Sequence, residues 1–407
     1  MKPLEGLKIV TVEHFAAGPY GSMHLADLGA TVIKIENIKA DGDPARRMGP
    51  YFLGDNDSLV FQGWNTCKQS LALNLKDPED RRAFETVVRT ADAVMNNLRG
   101  DQPGKLGLDY ASLKHLSARL VCLHISAYGR NNSRAAWPGY DYLMQAEAGL
   151  MHLTGDPSAD PTRFGVSIID FMTGSLGTMG LLAGVLRART TGEGSDVDVS
   201  LFDVALHQLG YVGTWYLNEG LESNRVPRGS HMSVSPVQTF TSTDGWIYVM
   251  CMTEQFWQLM LKKLGRQDLA EDPRFSDQNL RSRNRDALTV ILDAEFARYP
   301  TKHWLNVFEG ILPIAPIFTV KEALENPFVQ EVGMIANVPH PSRPNLRLLA
   351  SPIRFNGERP QQRAGSGLGA DNAGILTPAS RRSTRTDSAA QDASYHGSKG
   401  QKGIRYD

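Results

Sequence analysis

Cysteine is scarce in this sequence: Cys67, Cys122 and Cys251 are the only three in 407 residues, and they lie far apart. That excludes a disulfide framework of the kind that staples small secreted domains, and it offers no metal-ligand spacing. An odd number of thiols fits a reducing compartment, so a cytoplasmic setting is expected. An excess of one charge is missing too. Lys and Arg number 43 against 44 Asp and Glu, a formal net charge of -1, which argues against a nucleic-acid partner. No run of eighteen apolar residues occurs, and the first fourteen residues hold no signal-like apolar core, so no membrane partner is expected. No Gly-x-Gly-x-x-Gly follows the first strand-like run and no Walker lysine motif occurs, which disfavours a nicotinamide oxidoreductase. The sequence calls for neither a metal nor a tightly bound cofactor.

What is present alternates. Residues 7–12, 31–36, 70–75, 93–95 and 120–126 read as strands, rich in β-branched residues, while 20–28 and 78–90 read as helices. Strand and helix in alternation predict an α/β fold, a doubly wound, Rossmann-like parallel sheet that binds ligands at the carboxyl ends of its strands. This large domain is assigned residues 1–205, with a linker at 206–235 that is rich in Ser, Pro, Arg and Gly toward its end. A smaller α+β domain follows at 236–320, and 321–370 return to the large domain. The composition of 371–407, with few large apolar groups, predicts a disordered tail.

One acid stands out. Asp170 sits in GVSIIDFMTGSLGTMGLLAG, residues 165–184, between an apolar run ending at Ile169 and a segment rich in small residues. Ionising a carboxylate in apolar surroundings is costly, so such an acid is paired, caps a helix or reacts. Two roles stay open from the residues alone: N-cap of the helix that follows, which is the commoner one, and nucleophile. Glycines at 174, 177, 180 and 184 share one helical face and leave room for another backbone or a bulky ligand.

A set of segments in fixed order resolves that choice by resemblance. AAGPYGSMHLADLGATVIKIE at 16–36, KQSLALNLK at 68–76, ADAVMNNLRGDQPGKLGLDY at 91–110, GYDYLMQAEAGLMHLTG at 139–155 and GVSIIDFMTG at 165–174 resemble the class III CoA-transferases, the CaiB/BaiF type. The pattern is most similar to the succinyl-CoA:dicarboxylate group. The resemblance implies CoA transfer from an acyl-CoA donor such as succinyl-CoA to a small carboxylic or dicarboxylic acid, with the CoA thioester as substrate. It makes Asp170 the nucleophile, passing through an anhydride and an aspartyl-CoA thioester. On its ordinary pKa, such an aspartate is ionised at neutral pH without a base to activate it.

The resemblance also implies CoA contacts at His14, Ala16, Ala17, Asn37, Leu73, Lys76, Asn97, Leu98, Arg99, Lys105, Tyr140 and Asp141. Arg228, Ser230 and His231 would meet the acceptor carboxylate, and the glycines after Asp170 would make room for the thioester. Two departures stand out: relatives often carry arginine where Asn37 stands, and Ala16 replaces the glutamine of the formyl/oxalate subgroup. An interlocked homodimer is implied as well. The alternatives are an α-methylacyl-CoA racemase, whose Gly-His-Asp motif is here Gly139-Tyr140-Asp141, and a CoA-binding paralogue without turnover.

Overall fold

A computed structural model describes residues 2–377. Its centre is a six-stranded sheet. The strands are β1 (Lys8–Val12), β2 (Thr31–Glu36), β3 (Gln69–Ala72), β4 (Ala93–Asn96), β5 (Val121–Ser126) and β6 (Ser195–Ser200). They lie side by side in the order β3-β2-β1-β4-β5-β6, and every pairing is parallel. The order reverses between β1 and β4, which makes their carboxyl ends the topological switch point of the sheet.

Side chains alternate between the two faces of this sheet. Ile9, Val32, Met95, Leu123 and Ile125 join α1 (Ala17–Asp27) and the long helix Ile168–Thr191 in one core. Val10, Ile33, Ile35, Leu71, Val94 and Cys122 form the other core, with α2 (Pro78–Val88). Further along the chain come α3 (Asp141–Glu147), α4 (Ile168–Thr191), α5 (Leu201–His207) and α6 (Gly210–Glu219). A third core, with Phe240, Ile247, Trp257, Leu292, Phe296, Trp304 and Phe308, belongs to a three-stranded antiparallel sheet and its helices. That sheet holds β7 (Val237–Thr241), β8 (Trp246–Met250) and β9 (Ile314–Pro316).

Several local readings shift. The first helix starts at Ala17, three residues earlier than expected, because Pro19 sits within its first turn, where a missing N–H costs nothing. The run from about 194 to 219 reads as a strand and then one long apolar helix. The structure has β6 followed by two helices, α5 and α6, the second inside the segment assigned as linker. The tail assignment is corrected at its start, since residues 372–376 form a short helix. There Asp371 Oδ2 accepts from Ser70 N at 2.8 Å, and Asn372 Oδ1 accepts from Ala72 N at 2.9 Å. These side chains take the place of a further strand on the edge of β3. Composition missed this because the contact needs two polar groups, not an apolar face. Residues 378–407 lie outside the described part of the chain.

The glycine face of α4 is also corrected: it packs on protein, not on a ligand. A Cβ at Gly174 would lie 2.3 Å from Ala17 O, and one at Gly21 would lie 2.5 Å from Gly174 O. The backbones of α1 and α4 therefore touch. Gly177 meets Ile125 and Leu123, and Gly184 meets Val121. By length and hydropathy alone α4 would suit a membrane, with 24 residues and a mean hydropathy of 1.4 over its best window. This packing against the sheet marks it as a core helix instead.

The two kinds of contact separate by mutation. Gly174→Ala drives a methyl into backbone and is expected to cost about 2–3 kcal/mol. At Gly180 the nearest atom is the Val197 Cγ1 methyl at 3.0 Å. Gly180→Ala should therefore stay within about 1 kcal/mol of the parent, the methyl crowding being offset by helix propensity. Urea unfolding of both variants measures the difference; equal losses would show that the crossing is not tight.

Candidate active site

Two neighbouring cavities open at the switch point. The first, about 180 Å³, is lined by the turn after β1 (His14 to Ala17), the turn after β4 (Asn97 to Arg99), Ser126 and Ala127 after β5, Trp137 to Tyr140, Leu201 and Asp170. The second, about 330 Å³, lies over the ends of β2 and β3, with Asn37, Gly42, Asp43 and Leu73 to Lys76 in its wall. His14, Phe15 and Leu98 border both.

The turn between them is held from below by buried charge. Lys34, in the middle of β2, pairs with Asp43 at 2.8 Å and donates to the Glu13 carbonyl at 3.0 Å. Lys68 pairs with Glu13 at 2.9 Å and donates to Pro19 O and Asn65 Oδ1. Ser22 of α1 donates to Glu13 at 2.6 Å. Beside this set, Glu36 takes two hydrogen bonds from Arg46 and one from Ser70. All these ionic side chains are buried. Burial works to raise the carboxylates, but the facing cations outweigh it and hold Glu13, Glu36 and Asp43 below the ordinary range. Burial pulls Lys68 down to about 8.

This ionic floor shapes the turn. Phe15 adopts φ +58°, unusual for a side-chain-bearing residue, and its N–H donates to Asp43 Oδ1 at 3.1 Å. His14 is clamped at both backbone ends by Asn97, which accepts from His14 N at 2.9 Å and donates to His14 O at 2.7 Å. Burial holds the His14 ring below its usual pKa, in the neutral form. Sequence reasoning missed Phe15 and Trp137 as cavity walls. Lys34 was the available signal, a cation inside the apolar run TVIKIE.

Asp170 is not a cap. Helix α4 begins two residues earlier, at Ile168, with Ser167 as its N-cap residue, and no apolar strand precedes it. A tertiary partner takes the capping role: Asp141 Oδ2 accepts from Asp170 N at 2.9 Å. Gln145 fixes that carboxylate through its other oxygen, and Gln145 Oε1 accepts from Phe164 N. Asp170 is thus left with a side chain facing the cavity. Burial first, then the charge of Asp141, pushes its pKa up to about 7. Burial and the Asp141 charge thus both work against the full ionisation at neutral pH expected from the ordinary aspartate pKa.

The residues singled out from the sequence separate into groups. Asp170, His14, Ala16, Ala17, Asn97, Leu98, Arg99 and Tyr140 line the first cavity, and Asn37, Leu73 and Lys76 line the second. Asp141 lines neither; it is buried beneath Asp170. Lys105 also lies outside both cavities. Its ammonium and the Arg99 guanidinium share Asp101, each at 2.6 Å.

Arg228, Ser230 and His231 do not line the Asp170 cavity in this chain. Arg228 pairs with Asp293 at 2.6 Å, Ser230 is buried and donates to Pro227 O, and His231 stacks on Tyr211. Arg285 donates to His231 O and Arg281 to Ser235 O, which ties this segment to the helices of the three-stranded sheet. Among the described residues no cluster of three His, Cys, Asp or Glu side chains is placed to hold a metal.

Comparison with known proteins agrees along nearly the whole chain. Succinyl-CoA:glutarate CoA-transferase of Mus musculus is 32% identical over 357 residues, 88% of this chain and 81% of that protein. Acetyl-CoA:oxalate CoA-transferase of Acetobacter aceti is 32% identical over 367 residues, 89% of this chain and 92% of that protein. The crystal structure of a CaiB/BaiF family protein from Brucella suis superposes with a TM-score of 0.80 at 30% identity, covering 92% of this chain and 98% of that one. The sequence model of CoA-transferase family III matches residues 4–372. The chain belongs to CoA-transferase family III.

Proposed function

We propose that this enzyme moves CoA from a dicarboxylyl-CoA, succinyl-CoA first among them, to a small carboxylic or dicarboxylic acid, with Asp170 as nucleophile. The observation that carries the reading is the place of Asp170, the one carboxylate among the described residues that lines the first cavity, at the switch point, in a chain of this family. The names of the mouse and Acetobacter relatives support the substrate class.

The chemistry balances without a cofactor. The Asp170 carboxylate attacks the thioester carbonyl and expels CoA thiolate, leaving a mixed anhydride. The thiolate attacks the aspartyl carbonyl and frees the donor acid. The acceptor carboxylate then attacks the aspartyl-CoA thioester, and the released thiolate takes the acceptor's acyl group, restoring Asp170. Holding the thiolate beside the anhydride turns each encounter into an oriented, local step. In this reading the adenine end lies against the apolar wall of Leu73, Leu75 and Leu98, and the pantetheine arm crosses the turn at His14 to Ala17. Lys76 and Arg99, which line the two cavities, would meet phosphates.

The same proposal includes a cytoplasmic homodimer of two-domain subunits, divided as assigned from the sequence except that residues 371–376 belong to the large domain. Free thiols at Cys67, Cys122 and Cys251 support the compartment. Exposed Met179 and Leu186 on α4, with Tyr216 and Leu217 on α6, support a large apolar subunit contact. Arg228 and His231 would reach an acceptor across that contact, with Ser230 buried behind them.

Succinyl-CoA incubated with a panel of acids, read by the mass of the new thioester, identifies the acceptor. Asp170→Asn should lower transfer at least about a thousandfold while CoA binding persists. Retained turnover would sink the mechanism, and α-proton exchange in a 2-methylacyl-CoA without transfer would favour a racemase.

Acidity supplies an independent check. The attacking form is the anion, and its pKa is raised, so kcat/KM should fall as pH drops through about 7. Asp141→Asn removes the neighbouring charge while keeping an oxygen for Asp170 N, so the acid limb should move to lower pH. Stability follows the opposite sign. Above its folded pKa the charged Asp170 destabilises the native state, a penalty that grows from about pH 4 to about pH 7. Asp170→Asn should therefore raise the melting temperature at pH 8 and leave it nearly unchanged at pH 4. An acid limb centred near pH 4 in the parent enzyme would contradict the raised pKa.

A further inference from the structure

The amide of Gln145 has no choice of orientation. A backbone N–H only donates and an ionised carboxylate only accepts, so Oε1 faces Phe164 N at 2.9 Å and Nε2 faces Asp141 Oδ1. Gln145 and Asp141 are each 2% exposed and lie one turn apart on α3. The other Asp141 oxygen accepts from Asp170 N at 2.9 Å. Asp141 therefore has a donor on each carboxylate oxygen. The Asp170 carboxyl has no donor among the described residues.

Two enclosed acids this close do not hold charge equally. Hydrogen bonds to the charged form favour it, so the pair keeps its charge on Asp141 and takes its first proton on Asp170. No other ionisable group changes that assignment. His14, Arg99 and Tyr140 share the cavity with Asp170, and Arg99 is committed to Asp101. On α1, Tyr20 stacks on Phe171 and His24 lies against Tyr20. Asp203 and His207 of α5 are exposed, His152 meets Asn224, and Arg163 donates to the carbonyls of Phe164 and Gly165. The donors that decide the pair are the Asp170 backbone and Gln145.

We propose that Gln145 is a positioning residue for the nucleophile: by donating to Asp141 it keeps the negative charge of the pair on Asp141 and the first proton on Asp170. The proposal rests on the reading of Asp170 as nucleophile. Without this amide, Asp141 Oδ1 would be buried without a partner. The proton would then pass in part to Asp141, and Asp170 would stay charged at lower pH.

Gln145→Met keeps the length of the side chain and removes both donor and acceptor. Its kcat/KM at pH 6, taken relative to pH 8, should rise about threefold over the parent ratio. In an Asp141→Asn background there is no charge to hold, and the same substitution should change the ratio no further. A role in packing alone would lower kcat/KM by the same factor at both pH values and in both backgrounds. Gln145→Asn keeps an amide too short to span both partners and should act in the same direction, so the test survives if one variant fails to fold. A second readout needs no turnover. The gap in melting temperature between each protein and its Asp170→Asn counterpart follows the charge on Asp170. In the Gln145 variants that gap should level off at lower pH than in the parent and be smaller at pH 8. If both readouts in the folded variants match the parent, or the ratio rises as far again in the Asp141→Asn background, the proposal is overturned while Asp170 stands as nucleophile. If Asp170→Asn retains turnover, the nucleophile reading fails by itself, and the melting gap still decides where the pair holds its proton.

Discussion

Glu13, Lys34, Asp43 and Lys68 form a chain of buried charge beneath the first turn, and the geometry of the site depends on it. Burying ions is expensive, and well-packed apolar residues of similar volume would give equal or greater stability. What an ionic set adds is direction. Each Nζ is shared among three acceptors or more, so the positions of β2, the turn and the 65–68 segment are fixed relative to one another. Phe15 is held at positive φ by one oxygen of Asp43, while Lys34 lies 2.8 Å from the other. A turn held this way brings Ala17 against Gly174 of α4.

The same face of the sheet changes character along its strands. At the amino ends Ile9, Val32 and Ala93 pack in the core under α1 and α4. Two residues further along, β1 and β2 place Thr11 and Lys34 side by side on that face, and Glu36 follows. The stretch toward the carboxyl ends is therefore polar and the rest is apolar. The cations and anions of the floor match in number, so the cavity above gains little net field from it. The local charges that act on Asp170 are then few, and Asp141 is the nearest. An enclosed carboxylate beside a second one is harder to ionise, but once ionised it is poorly solvated and attacks readily. In the proposed mechanism the raised pKa and the nucleophilic role of Asp170 would have one cause.

Much of the fold was legible in the sequence, because strands buried on both faces of a parallel sheet read as apolar runs and turns carry Gly or Pro. The sites of error share a cause as well. From the residues alone Asp170 fitted a cap as readily as a nucleophile, because a cap is a local motif, whereas the partner that accepts from its N–H, Asp141, is twenty-nine positions away. The glycines of α4 signalled a close approach correctly, but the periodicity could not say whether backbone or ligand approached. The helix at 372–376 docks through Asp371 and Asn372, residues that composition scores as tail-forming. Cavity residues in the turns came from the resemblance, residue by residue; the ionic floor came from neither source, because pairing across four segments leaves no spacing to read.

The placement of the 228–236 segment bears on how the reaction is protected. In the proposed mechanism a mixed anhydride would hydrolyse if water reached it, so the cavity would have to close during transfer. Within the single chain, the rim residues Trp137 and Tyr140 are 50% and 63% exposed, which leaves the mouth open. The segment with Arg228 and His231 is fixed to the three-stranded unit by donors from Arg281, Arg285 and Ser282 and by the Arg228–Asp293 pair. Those bonds consume carbonyls along the segment, so it would move as part of that unit and not as a free loop. Closure over Asp170 is then a matter of bringing one rigid surface against another. A second subunit supplies such a surface in the proposed dimer, where selection of the acceptor acid and exclusion of water would become a single event.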